Sequence, residues 1–128
     1  IKELCGEPVP FASIREHLPF KYQITLDGAT STFPGYLWRM GSGCVNIKQD
    51  SANEQWFYEL FKPNVHYLPV VRDLSNLDAI LIAAKTHDTE MREMAMRARS
   101  VVEQELTPNK VFGYLVELLN AYSTKLQK

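Results

Sequence analysis

Residues 20–43, FKYQITLDGATSTFPGYLWRMGSG, constrain the fold more tightly than any other stretch of the chain. Phe20, Tyr22, Ile24 and Leu26 alternate with Lys21, Gln23, Thr25 and Asp27, the period of two that gives a strand one apolar face. Asp27-Gly28 ends that strand in a turn, and Ala29, Thr30, Ser31 and Thr32 follow, small enough to let a backbone approach a ligand closely. A helix start comes next, with Ser31 or Thr32 as its cap and Pro34 near the first-turn position where a missing N–H costs nothing. Strand, small-residue turn and helix in that order suit a phosphate. The turn amides and a helix N-terminus, carrying roughly half a positive charge, point at the ligand. An ordinary βα turn accounts for the same pattern equally well. Neither GxGxxG nor GxxxxGK[ST] occurs, so the dinucleotide fingerprint and the Walker loop are both absent.

The 128 residues suffice for one domain with a single core, and 45% hydrophobic with 23% charged residues is ordinary for a globular chain. A net charge of −1 argues against a nucleic-acid footprint, which needs a basic excess on one face. A phosphate site here therefore depends on backbone amides and a few local cations. No apolar run approaches the length of a membrane span, and no signal-peptide pattern is visible. Cys5 and Cys44 lie far apart without metal-ligand spacing; a disulfide between them is open but unsupported, and free, small core residues are the better reading.

Residues 1–19, with Pro8, Pro10 and Pro19, read as an irregular lead-in holding one short helix near Ala12–His17. Beyond the central strand a helix is expected over Pro34–Met40, stopped by Gly41-Ser42-Gly43. Cys44–Lys48 reads as a second strand ending in the polar turn Gln49-Asp50-Ser51. A helix over Ala52–Phe61 would bury Trp56, Phe57 and Leu60, and a third strand over His66–Val71 is limited to an edge by Pro69. Three helices complete the chain. The first is capped by Asp73 and carries the stripe Leu74, Leu77, Ile80, Leu81 and Ala84. The second, Asp88–Leu106, buries Met91, Met94, Ala95, Ala98, Val101 and Val102. The third starts at Thr107-Pro108, with Val111, Leu115, Leu118, Leu119 and Tyr122 as its stripe. Strands alternating with helices predict an α/β domain with a mostly parallel sheet, whose ligands bind at the carboxyl ends of the strands. That rule selects the turns at Asp27–Thr32, at Lys48–Ser51 and after Val71.

Four short pieces in order, Lys21-Tyr22 with Asp27-Gly28, Lys48-Gln49-Asp50-Ser51, Phe57-Tyr58, and His66-Tyr67 with Pro69-Val70, resemble the CAP10-like glycosyltransferases. That family includes protein O-glucosyltransferases and capsule and lipopolysaccharide sugar transferases, and the similarity runs from about Phe20 to the end of the chain. The resemblance implies a GT-B enzyme, two Rossmann-like domains facing across a cleft. This chain would be the carboxyl-terminal half, a three-layer Rossmann-like domain over residues 20–128 with a helical C-terminal part. It further implies a nucleotide-sugar donor, UDP-glucose or another UDP-sugar, and transfer of a hexose or pentose to a protein, glycan or lipopolysaccharide acceptor. No cofactor and no metal are expected, since retaining GT-B enzymes generally work without a bound metal. The family's catalytic base lies in the amino-terminal half, so no catalytic residue is assigned here, and an amino-terminal domain or second chain would complete the cleft. A eukaryotic source would imply the lumen of the endoplasmic reticulum or Golgi, and a bacterial one the cytoplasm.

Many relatives carry an arginine after the small-residue turn, where this sequence reads Thr32-Phe33-Pro34-Gly35. Either Arg39 or Lys48 then supplies the phosphate cation, or the amides and hydroxyls of Gly28, Ala29, Thr30, Ser31 and Thr32 hold the phosphates alone. Asp27, Asp50 and Ser51 are candidates for ribose or sugar hydroxyls, and His66 is a candidate for the cleft. Each has a plainer reading: turn residue, helix cap, strand-end lysine, structural histidine. The missing arginine and missing catalytic half also support a second function, a non-catalytic interaction module derived from the same fold.

Overall fold

The computed structural model describes residues 12–32 and 34–126. Most of the lead-in, Cys5 included, and Phe33 lie outside the described residues. In chain order the elements are α1 (Ile14–His17), β1 (Tyr22–Thr25), α2 (Gly35–Gly41), β2 (Val45–Gln49) and a 3₁₀ turn (Tyr58–Leu60). They are followed by β3 (Leu68–Val70), α3 (Leu77–Thr86), α4 (Asp88–Glu105) and α5 (Pro108–Leu126). The three strands form a parallel sheet in the order β1-β2-β3, as the alternation of strands and helices predicts. Tyr22 pairs with Val45 and Ile24 with Ile47, while Ile47 pairs with Leu68 and Lys48 with Pro69. Pro69, which has no N–H for a ladder, thus sits in an edge strand.

Alternation along the strands gives the sheet two faces. Val45 and Leu68, with Tyr22, pack against Ala84 of α3 and Met91, Met94 and Ala95 of α4. On the opposite face Asn46 meets Met40 of α2, and Lys48 lies over Tyr36 at the other end of that helix. Tyr36 and Met40 form a second core cluster with Phe57, Phe61 and Ala98, the last from the distal part of α4. Helix α4 therefore touches both clusters and ties the layers together. Cys44 is buried with its thiol free, and Gly43, with φ of 78°, provides the left-handed exit from α2.

Four expectations change. The first concerns β1, which buries Gln23 and Thr25 and leaves Phe20, Ile24 and Leu26 exposed by 62%, 36% and 41%, the reverse of the apolar-face reading. β1 is an edge strand, and α3 and α4 lie over β3 and β2, so the apolar side of β1 receives little cover. Its polar side is consumed instead: Thr25 Oγ1 donates to Asn46 Oδ1 at 2.8 Å, and Gln23 Nε2 donates to the His17 carbonyl at 3.0 Å.

Secondly, the helix expected over Ala52–Phe61 shrinks to the 3₁₀ turn. Ser51 Oγ accepts the Asn53 N–H at 3.0 Å and donates to Asp27, which holds the loop away from a helical path. Phe57 is buried as expected, but Trp56 is half-exposed. Thirdly, α3 starts at Leu77. Leu74 has φ of 62°, Asp73 binds the Ser75 N–H, and Asn76 Oδ1 accepts from Val71.

The fourth change is at α5. It forms where Thr107-Pro108 predicts it, yet it buries no residue, and Phe112, Leu119 and Tyr122 are 70%, 59% and 61% exposed. Tyr114 stacking on Trp56, with ring centroids 4.4 Å apart, and the Lys110–Glu105 ion pair hold its first turns.

Substitutions in these two helices should behave oppositely in chemical denaturation. Met94→Ala, at 1% exposure, is expected to cost about 2–5 kcal/mol, whereas Leu119→Ala should stay within about 0.5 kcal/mol of the parent. Equal losses at both positions would mean that α5 is packed in solution.

Candidate functional site

Three turns meet at the carboxyl ends of the strands. Gln49, at the end of β2, links them: its Oε1 accepts the Asp27 N–H at 3.3 Å, and its Nε2 donates to the Arg72 carbonyl at 2.6 Å. The Asp50 N–H donates to the Val70 carbonyl at 2.7 Å. The three turns selected from sequence are thus neighbours in space. Beside them opens a cavity of about 370 Å³, its wall including Lys48, Asp50, Ser51, Glu54, Tyr58 and Tyr67. A second cavity of about 320 Å³ shares Lys48, Asp50 and Tyr67 and extends along Pro69, Val71 and Asn76. Both fall within the size range of small-molecule sites.

Lys48 is the group between them. It is 8% exposed, it projects from the central strand, and its ammonium lies 4.8 Å from the Tyr58 ring centroid and 5.9 Å from that of Tyr36. Its one hydrogen bond among the described residues goes to the Gln49 carbonyl at 3.3 Å, and no carboxylate there lies within ion-pair distance. Burial pushes the Lys48 pKa down, and the more distant charges of Asp27, Asp50 and Glu54 oppose that shift. The aromatic floor is itself held neutral. Burial pushes the Tyr36 hydroxyl up, aided by Tyr67 and Tyr58, and Tyr58 and Tyr67 are raised chiefly by burial too. A cation without a carboxylate partner, on a neutral aromatic floor and facing a polar cavity, is suited to an anion.

The other residues singled out from sequence divide into three groups. Asp50 and Ser51 line the cavity with Lys48. Asp27, Ser31 and Thr32 stand behind it: Ser31 accepts from Gln55 of the wall, and Thr32 donates its hydroxyl to the Leu26 carbonyl and its N–H to Asp27. Neither hydroxyl caps α2, whose N-cap position is Pro34. Gly28, Ala29 and Thr30 are exposed and outside the cavity wall, and neither positive φ nor a crowded Cβ requires glycine at 28.

Arg39 and His66 are not brought to the cavity. The Arg39 guanidinium lies over Trp38, 4.5 Å from its ring, and folds back along α2. A Cβ on Gly35 would stand 2.7 Å from Arg39 Nη1 and 2.8 Å from the Thr32 methyl, so glycine there admits that fold. His66 Nδ1 accepts the Lys62 N–H at 2.8 Å, a local staple of the loop before β3. Tyr36, Tyr67, Glu54, Gln55 and Glu59 also line the cavity without having been selected from sequence. The signal that was available is the acidic and aromatic loop directly after Lys48-Gln49-Asp50-Ser51.

The arrangement defines an α/β protein with a polar, single-cation cavity at the carboxyl edge of a parallel sheet. The chain belongs to glycosyl transferase family 90, whose model matches residues 2–128. It is 32% identical over 123 residues to protein O-glucosyltransferase 2 of Danio rerio, covering 95% of this chain and 24% of that protein. It is 29% identical over 125 residues to human protein O-glucosyltransferase 1, covering 96% of this chain and 31% of that protein. Human protein O-glucosyltransferase 3 is 29% identical over 106 residues, 83% of this chain and 21% of its own length. The chain therefore spans between a fifth and a third of the length of these relatives.

His66 gives the loop before β3 a pH dependence. Burial, with Arg97 and Lys62 nearby, holds its pKa below the usual 6.5, so the folded state favours the neutral ring. The unfolded chain binds the proton more readily, and stability should fall as pH drops through about 6.5 and below. Urea midpoints at pH 7.5 and 5.5 should differ more for the parent than for His66→Gln; an identical pH response would remove His66 from the cause.

Proposed function

We propose that this chain is the donor-binding part of a glycosyltransferase and that its cavity holds a UDP-sugar. The observation that carries this reading is Lys48, a buried ammonium without a carboxylate partner among the described residues, facing a polar cavity at the strand carboxyl ends. Its charge would take the place of the arginine absent after the small-residue turn. The diphosphate would sit against Lys48, and the acidic side chains of Asp50, Glu54 and Glu59 on the same wall suit the hydroxyls of ribose or sugar. As a sugar leaves, negative charge grows on the diphosphate, and a cation already desolvated and fixed stabilises that charge without reorganising.

The acceptor in this reading is a protein, as the names of the relatives suggest, and the carboxylate acting as base would come from outside these residues. A further domain or chain would complete the cleft in the manner of a GT-B enzyme. The apolar face of α5 offers it an attachment surface, with Phe112, Leu115, Leu119, Tyr122 and Leu126 recurring every three or four residues, all exposed.

Calorimetric titration with UDP, using GDP and free glucose as controls, tests the site. UDP is expected to bind in preference to both. Lys48→Met should weaken UDP about tenfold or more, the loss of one charge-assisted hydrogen bond, with no fall in melting temperature because the buried charge has no ionic partner among the described residues. Thr30→Ala with Ser31→Ala should weaken it less. A larger loss there would move the diphosphate to the turn, and a folded chain that ignores UDP would overturn the reading.

A further inference from the structure

The Asp27 carboxylate is largely committed to donors of its own protein. Oδ1 accepts the Thr32 N–H at 3.1 Å. Oδ2 accepts the Ser51 hydroxyl and the Asn53 Nδ2 at 3.3 Å. These three donors take up most of a group that offers about four lone-pair sites. The donors come from two different loops, the β1–α2 turn and the loop after β2. Ser51 is committed as well: its proton goes to Asp27 and its oxygen accepts from the Asn53 N–H, so its hydroxyl has no proton to offer a phosphate.

We propose that Asp27 is the positioning residue of the cavity: it clasps the 50–53 loop, on which the cavity wall stands, to the β1–α2 turn, without touching the ligand. The inference rests on the donor-site reading above. It replaces the sequence-based role of Asp27 as a partner for a sugar hydroxyl. The clasp sets the wall on which Asp50 and Ser51 stand. The Asp27 charge also acts on Lys48, whose burial disfavours protonation, with Asp50 from the end of β2 and Glu54 from the following loop adding to it, and the neutral tyrosines 36, 58 and 67 supplying no charge. Burial also works against ionisation of Asp27 itself, yet the hydrogen bonds from Ser51, Thr32 and Asn53 outweigh it and hold the carboxyl below its usual range. Asp27 is therefore an anion at neutral and alkaline pH.

The test compares Asp27→Asn with Ser51→Ala/Asn53→Ala, titrating each with UDP and with inorganic diphosphate between pH 7 and 10.5. Asp27→Asn is expected to weaken both ligands about tenfold, and to move the alkaline loss of binding to lower pH as Lys48 deprotonates more readily. The double variant removes the donors of the 50–53 loop and keeps the charge, so it should weaken both ligands without moving the alkaline limb. A direct contact between Asp27 and ribose would instead weaken UDP and spare inorganic diphosphate, which overturns the proposal. An unmoved alkaline limb in Asp27→Asn would overturn the action on Lys48. If Asp27→Asn does not fold, unchanged affinity in the double variant overturns the clasp by itself. Failure of the parent chain to bind either ligand defeats the donor-site reading, and this inference with it; binding by the parent with variants that behave like it defeats this inference alone.

Discussion

The structure depends on what the central strand must bury. β2 has neighbours on both edges and helices on both faces, so all of Val45–Lys48 is withdrawn from water. Two of those four residues, Asn46 and Lys48, are polar, and both point toward α2. A buried polar group without a partner costs about 1–3 kcal/mol, so the elements around that face must answer it. Asn46 is answered: Thr25 donates to its oxygen, and its Nδ2 reaches Met40 Sδ at 3.2 Å. This fixes β1 against β2 from the side chains as well as the backbone, and fixes α2 beneath them. Lys48, one pleat further along, is answered among the described residues by aromatic faces and one carbonyl.

That difference separates the structural half of the face from the candidate site. At the amino side the hydrogen bonds close around Thr25 and Asn46, with Gln23 Oε1 left unanswered among the described residues. At the carboxyl side they close around the cavity but stop short of Lys48. Asp27, Gln49 and Ser51 bind one another's loops and leave the ammonium with unused donors. The same loop that should have continued as a helix after Ser51 is pulled into this lattice, and its Tyr58 joins Tyr36 and Tyr67 in the cavity floor. A short irregular segment here has a cause: the local hydrogen bonds of Ser51 and Asp27 compete with helix formation and win.

The outer surfaces follow a different logic. Ile24 on β1, Leu26 just past it and the apolar row of α5 are spaced as buried residues would be, but the described residues leave them exposed. Hydrophobic spacing records that a face is to be covered; it does not record by what. The relatives, three to five times as long as the matched stretch, have chain enough to supply such cover.

Much of the molecule was legible in the amino-acid order. The alternation of strands and helices gave a parallel α/β sheet, Pro69 put β3 at an edge, and the methionine and alanine spacing of α4 named its buried side. Thr107-Pro108 located the start of α5, because caps and prolines act over one turn and need no distant partner. Lys48, Asp50 and Ser51, selected as candidates because parallel sheets bind ligands at strand carboxyl ends, do line one cavity there. Tertiary structure decided the rest. It chose which side of β1 is inside, since that depends on where α2, α3 and α4 lie and not on the period of two. It turned Asp27 from a free carboxylate into one tied between two loops, since its donors come from residues up to 26 positions away. Between two cations equally visible in sequence, it put Lys48 at the cavity and folded Arg39 back over Trp38, because a strand aims its side chains across the sheet and Gly35 leaves room for the guanidinium on the helix.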